Sequence, residues 1–98
     1  MVELSLLATA ALYQTIRSAG IENGNGLRLV EKGGIFSLKL DTPGSNDRVI
    51  VYKSVPVLII DRSLEMKLGN ILLNVNYKSG IPDLVVSTEY NRPGISSK

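Results

Sequence analysis

The sequence predicts an α+β domain: one amphipathic opening helix, a run of strands with period-two patterning, and a short second helix inserted before a final strand pair. Three observations carry this. Ala8, Leu12, Ile16 and Ala19 recur at helical spacing behind Ser5. Leu27 and Leu29, then Phe36, Leu38 and Leu40, alternate with polar residues on either side of Gly33-Gly34. No βαβ unit repeats along the chain, so no wholly parallel sheet is enforced, and a sheet or sandwich with helices packed on one side is expected.

Taken in order, Ser5 is the expected N-cap of the first helix and Gly20 its C-terminal stop. The segment 22–26 reads as a connection, because Asn and Gly tolerate positive φ. A hairpin follows, turning at Gly33-Gly34 with one buried face. Residues 42–47 (Thr-Pro-Gly-Ser-Asn-Asp) form a loop by composition. Two further strands span 48–53 and 55–60; the second is apolar throughout and therefore central or covered on both faces. Asp61 is a second N-cap, Leu64 and Leu68 the buried side of a two-turn helix, and Gly69-Asn70 its end. The last strands cover 71–77 and 82–87. One domain over residues 1–90, with six to seven strands, and a flexible tail over 91–98 are expected.

Composition excludes several chemistries. The chain of 98 residues has no cysteine and no histidine, so neither thiolate nor imidazole is available to a metal. Stability rests on packing rather than disulfides, which fits a cytoplasmic protein. Eleven basic against nine acidic residues leave a formal charge of +2. The basic residues are scattered and not interleaved with aromatics, so no nucleic-acid surface is expected. The longest apolar runs fall far short of the ~20 residues that cross a bilayer, and Glu3 stands where a signal peptide would be basic.

The candidate motifs have plain structural readings. The Asp41–Asp47 loop gathers oxygen donors that a hard cation accepts, but its residues are also the usual turn formers and lack EF-hand spacing. Gly20, Gly24 and Gly26 follow a helix and precede a strand, the reverse of a phosphate loop. Ser37, Lys39, Asp41 and Asp61 could in principle serve Ser–Lys or paired-carboxylate chemistry; the first three read more simply as the solvent face of a strand. Tyr52 and Tyr77 fit either core packing or an interface. Val30 and Ile35 point away from the inward Leu and Phe, which favours a second buried surface and a homodimer.

The order of elements resembles the HesB/IscA family of A-type iron–sulfur carriers across residues 5–88. The matching features are the opening helix stripe, Gly26-Leu27-Arg28-Leu29 leading to Gly33-Gly34, Phe36-x-Leu38-x-Leu40-Asp41, Val57-Leu58-Ile59-Ile60-Asp61, and Leu68-Gly69 before Ile71-Leu72. The resemblance implies a compact, β-rich fold with two helices, often assembled as dimers or tetramers. It also implies where the ligands should be: a cysteine after the double glycine and a Cys-Gly-Cys near the C-terminus. Here Gly34 runs into Ile35, and no thiol follows Pro93. No catalytic, cofactor-binding or metal-binding residue is therefore assigned. The expected function is that of a non-catalytic binding or scaffold domain, or an accessory in iron–sulfur assembly working through a cysteine-bearing partner.

Overall fold

The computed structural model describes residues 1–78 and 81–87. The elements are β1 (Val2–Leu4), α1 (Leu6–Ser18), β2 (Gly26–Lys32), β3 (Ile35–Asp41), β4 (Asp47–Tyr52), β5 (Val55–Asp61), α2 (Arg62–Leu68), β6 (Ile71–Lys78) and β7 (Ile81–Ser87). They form two sheets, of order β1-β6-β7 and β3-β2-β5-β4. Seven strands and two helices match the α+β architecture expected from sequence. The expected tail 91–98 lies outside the described residues, as does the side chain of Tyr77.

Ser5 caps α1 as its type predicts: its hydroxyl accepts from the Ala8 N–H at 3.0 Å and donates to Asn74 Oδ1 at 2.6 Å. At the other end Gly20 takes φ +66°, and the N–H groups of Gly20 and Ile21 donate back to Arg17 and Ile16. This is the Schellman arrangement, which satisfies carbonyls that the helix leaves open. The buried face is Ala8, Ala11, Leu12 and Ile16. Ala19, expected on that stripe, is exposed because the helix ends one residue before it.

The main core joins α1 to both sheets. It holds Leu12 and Ile16, Leu27 and Leu29, Val57, Leu58 and Ile60, and Val2, Ile71 and Leu73 from the smaller sheet. Full burial of a Leu or Ile contributes roughly 1.5–3 kcal/mol, so this cluster is the principal source of stability. β5 sits inside its sheet with Val57 to Ile60 wholly buried, as its unbroken apolar run predicts. Between the pairs Ile50–Leu58 and Val51–Pro56 the register shifts, leaving Val57 unpaired. This bulge turns Val57 into the same cluster as Leu58.

Two features differ from the sequence reading. β1 was not expected: it is three residues long, too short for periodicity to show, and it is specified by parallel pairing with β6. Leu40, read as inward, is 53% exposed, because β3 is the sheet's edge and Leu40 lies at its far end. Phe36 and Leu38 do pack against the core, half-buried.

The β1 edge is closed by side chains from α2 and from β4 of the other sheet. Glu65 Oε2 accepts from the Val2 N–H at 2.9 Å, and Arg48 donates to the Val2 carbonyl. Arg48 Nε also meets both Glu65 oxygens, at 3.0 and 2.8 Å. The Arg48 guanidinium first, and the Val2 N–H after it, hold the Glu65 carboxyl below the usual range. The trio links β4, α2 and β1.

Candidate functional site

Three regions collect the residues singled out by sequence. The first is the β2–β3 turn, where the family resemblance places a thiol. Gly33 and Gly34 have φ of +60° and +86°, as a two-residue type I′ hairpin turn requires. The Gly34 N–H donates to Glu31 Oε2 at 2.8 Å, and Lys67 of α2 approaches Glu31 Oε1 at 3.6 Å. Ile35 follows directly, 73% exposed. The turn is closed by backbone conformation and a carboxylate, and its exposed side chain is hydrocarbon, without a lone pair to give a metal. The second position the resemblance assigns to thiols, beyond Pro93, lies outside the described residues.

The second region is the Asp41–Asp47 loop. β3 and β4 lie at opposite edges of their sheet and Asp41 and Asp47 at opposite ends of it, so residues 42–46 must cross over β2 and β5. They cross the face that carries Arg28 and Ile59. Ile59, the register partner of Arg28, has no exposed surface although it lies outside the main core. Arg28 lies beneath the crossing and bonds to both of its ends. Its Nε meets Asp41 Oδ2 at 2.6 Å, and its two terminal nitrogens meet the two Asp47 oxygens at 2.9 and 2.7 Å. The bidentate contact uses the guanidinium's planar fork, which matches a carboxylate.

The remaining oxygens are also engaged. Asp41 Oδ1 accepts from the Thr42 N–H, Asp47 Oδ2 from the Gly44 N–H, and Thr42 Oγ1 donates to Asn25 Oδ1. Arg28, with help from the Gly44 N–H, lowers the Asp47 pKa to about 2. Arg28 and the Thr42 N–H lower that of Asp41, and the two carboxylates raise that of Arg28. The oxygen donors that suggested a hard cation are thus turned onto an internal one. The turn reading describes this loop, and Arg28 is the partner that sequence spacing did not reveal. Among the described residues no three His, Cys, Asp or Glu side chains gather as metal ligands.

Ser37, Lys39, Asp41 and Asp61 are not brought together. Ser37 and Lys39 are exposed on β3, Asp41 belongs to Arg28, and Asp61 accepts from the Ser63 and Leu64 N–H groups as the cap of α2.

The third region lies at the Gly26 end of β2, away from the β2–β3 turn. Tyr13 and Tyr52 meet edge to face, centroids 5.3 Å apart, and Lys53 Nζ stands 5.6 and 5.5 Å from the two rings. Tyr52 is therefore a packing residue, and Lys53 adds a cation–π contact. Lys53 and Ser54 form the β4–β5 turn with φ of +51° and +67°, a conformation usually left to Gly, Asn or Asp. Beside it a hollow of about 190 Å³ separates residues 54–56 from the loop after α1. Gly20 and Gly24 line it, at the negative end of the α1 dipole, which disfavours an anion there. Gly26 serves packing instead: a Cβ at this position would stand 1.9 Å from the Pro56 carbonyl oxygen.

A second hollow, about 250 Å³, lies between α1 and the two sheets against Leu27, Leu38, Val75 and Leu84. Among its described lining residues the polar side chain is Thr15, which donates its hydroxyl to the Ala11 carbonyl. Neither hollow is lined by Lys39, Asp41 or Asp61.

No protein-family model and no curated protein matches the sequence. Solved structures do match the fold. Escherichia coli SufA, involved in biosynthesis of iron–sulfur clusters, aligns over 88% of this chain and 83% of its own, with a TM-score of 0.66 and 16% identity. IscA with its [2Fe-2S] cluster aligns over 89% and 84%, with a TM-score of 0.58 and 15% identity. The architecture that the HesB/IscA resemblance led one to expect is the one the chain adopts: its fold is the fold of SufA and IscA.

Proposed function

We propose that this chain is a non-catalytic, cytoplasmic binding or scaffold domain that works through protein contacts on a SufA/IscA-like fold, without a cluster of its own. The observation that carries the reading is the β2–β3 turn. Where the family resemblance puts a thiol, Gly33 and Gly34 close a two-residue turn and Ile35 follows. Cysteine and histidine are absent from the 98 residues, so no other segment of them supplies a thiolate or an imidazole. Iron–sulfur clusters are held by thiolates, and serine does not ionise readily enough to replace them. Anaerobic incubation with iron and sulfide, followed by desalting, visible absorption and metal analysis, tests this. The protein is expected to emerge colourless and free of iron; a stable brown holo-protein would overturn the reading.

A second reading rests on the likeness to SufA and IscA. Here the domain is an accessory in iron–sulfur assembly or iron metabolism, with the thiols supplied by a partner. Mixing it with a cluster-loaded, cysteine-bearing A-type carrier discriminates the two. A co-eluting complex that retains the cluster absorption favours the accessory role, and separate elution favours the scaffold.

A further inference from the structure

Strand edges expose unpaired backbone groups, and three of the four edges here are protected. β1 has its Val2 N–H and carbonyl taken by Glu65 and Arg48. β4 is paired to a strand that bulges at Val57, which adds twist between Ile50 and Val51. β7 contains Pro82, whose nitrogen has no hydrogen to donate. β3 has none of these devices: it is seven residues long, holds unbroken register with β2 from Ile35 to Asp41, and contains no proline.

The two-residue turn fixes which of its groups are free. Lys32 and Ile35 close the hairpin as a hydrogen-bonded pair, so Ile35, Ser37, Lys39 and Asp41 face β2. Phe36, Leu38 and Leu40 then direct their N–H and carbonyl groups away from the sheet. Among the described residues no strand pairs with that side.

We infer that β3 pairs antiparallel with β3 of a second copy about a two-fold axis at Leu38, joining two four-stranded sheets into one of eight. The inference rests on the reading above, of a domain acting through protein contacts, and names the partner. The β3 sequence is self-complementary in this register. Leu38 faces its own equivalent, and Phe36 of each copy faces Leu40 of the other, covering the exposed Leu40 side chain. On the other face Lys39 meets Ser37, and Asp41, still held by Arg28, meets Ile35. Centring on Lys39 would oppose two ammonium groups. Centring on Leu40 would bring Pro43 opposite Ser37 and shorten the overlap. Charge and length therefore select the Leu38 register.

The test is light scattering after size exclusion, with amide hydrogen exchange by NMR, from about 10 µM to about 1 mM. A dimer is expected, with exchange of the Phe36, Leu38 and Leu40 amides slowing at least ~10-fold over that range while those of Ser37 and Lys39 stay constant. Leu40→Pro removes the outward N–H at a position where an edge strand tolerates proline, and Leu40→Arg opposes burial. Both should be monomers with unchanged far-UV dichroism. If one variant fails to fold, the other and the wild-type exchange alternation decide. A wild-type monomer at about 1 mM, a dimer that survives both substitutions, or protection independent of concentration overturns the inference. None of these outcomes touches the reconstitution result, so the pairing and the reading it rests on fail separately.

Discussion

Replacing Arg28 by Gln should unpin the β3–β4 crossing, and its size can be worked from Asp47. That carboxyl titrates at about 2 in the folded chain against an ordinary 3.8, chiefly through Arg28, and its side chain is only 5% exposed. A folded pKa below the unfolded one stabilises the native state above the unfolded value and loses the effect as pH falls through the folded value. A difference of this size corresponds to about 2 kcal/mol near neutrality. Asp41 is more open to solvent, where screening weakens its pair with Arg28. For a domain of this length, about 2 kcal/mol lowers Tm by about 8–16 °C. Thermal unfolding by far-UV dichroism should show that gap between wild type and Arg28→Gln at about pH 7. The gap should shrink toward about pH 2, where protonation of Asp47 weakens the same pair in the wild type. Carboxyl NMR of the variant should find Asp47 back at or above the ordinary range. A Tm gap that persists undiminished into acid would refute the ion-pair reasoning, as would an Asp47 that still titrates near its wild-type value.

Gly26→Ala should cost about 3 kcal/mol or more, because the added carbon meets the Pro56 backbone, which cannot rotate away. Gly44→Ala, whose added carbon meets only Asp47 Oδ2 at an ordinary 3.4 Å, is the control that should stay within about 1 kcal/mol in urea unfolding. Ser54→Gly should raise stability by about 0.5–1 kcal/mol, since it relieves a left-handed non-glycine residue; a fall in Tm would contradict this. Arg48→Met leaves Glu65 half-shielded without its cation and should cost about 2–4 kcal/mol by urea unfolding. Glu65→Gln, which keeps an acceptor for the Val2 N–H, should cost less.

Much of the fold was legible because its signals are local. Ser5 and Asp61 cap helices by side-chain chemistry that acts within three residues, and both do so here. Gly33-Gly34 names a hairpin turn by itself, and the unbroken run 55–60 names an interior strand. What escaped depends on contacts distant in sequence. β1 exists because β6, almost seventy residues later, pairs with it. The Arg28 site joins residues 28, 41 and 47 only once the chain has crossed the sheet, and no spacing rule anticipates one arginine between two carboxylates. A signal was present in retrospect: a lone arginine on a strand whose face must be covered needs a carboxylate partner. Leu40 was misread because alternation says which face a residue takes, not whether that face reaches the edge of the sheet.

Among the described residues, the hairpin tip, the crossing segment and the β1 edge are each closed by groups of the chain itself. The hairpin tip is closed by two glycines in positive φ and by Glu31, and the crossing segment by Arg28. The open edge of β1 is closed by the Arg48–Glu65 pair. A bound metal or cluster stabilises a native state in proportion to its affinity, and a domain that relies on this unfolds when the ligand is removed. Here the β2–β3 tip is a turn closed by its own backbone conformation and by Glu31. Stability of the apo chain should therefore be indifferent to chelators. With thermal unfolding followed in the presence and absence of EDTA, Tm should agree within about 2 °C, less than about 0.5 kcal/mol for a domain of this length. A larger drop would mean that a bound cation, and not Arg28 and Glu65 alone, completes the fold.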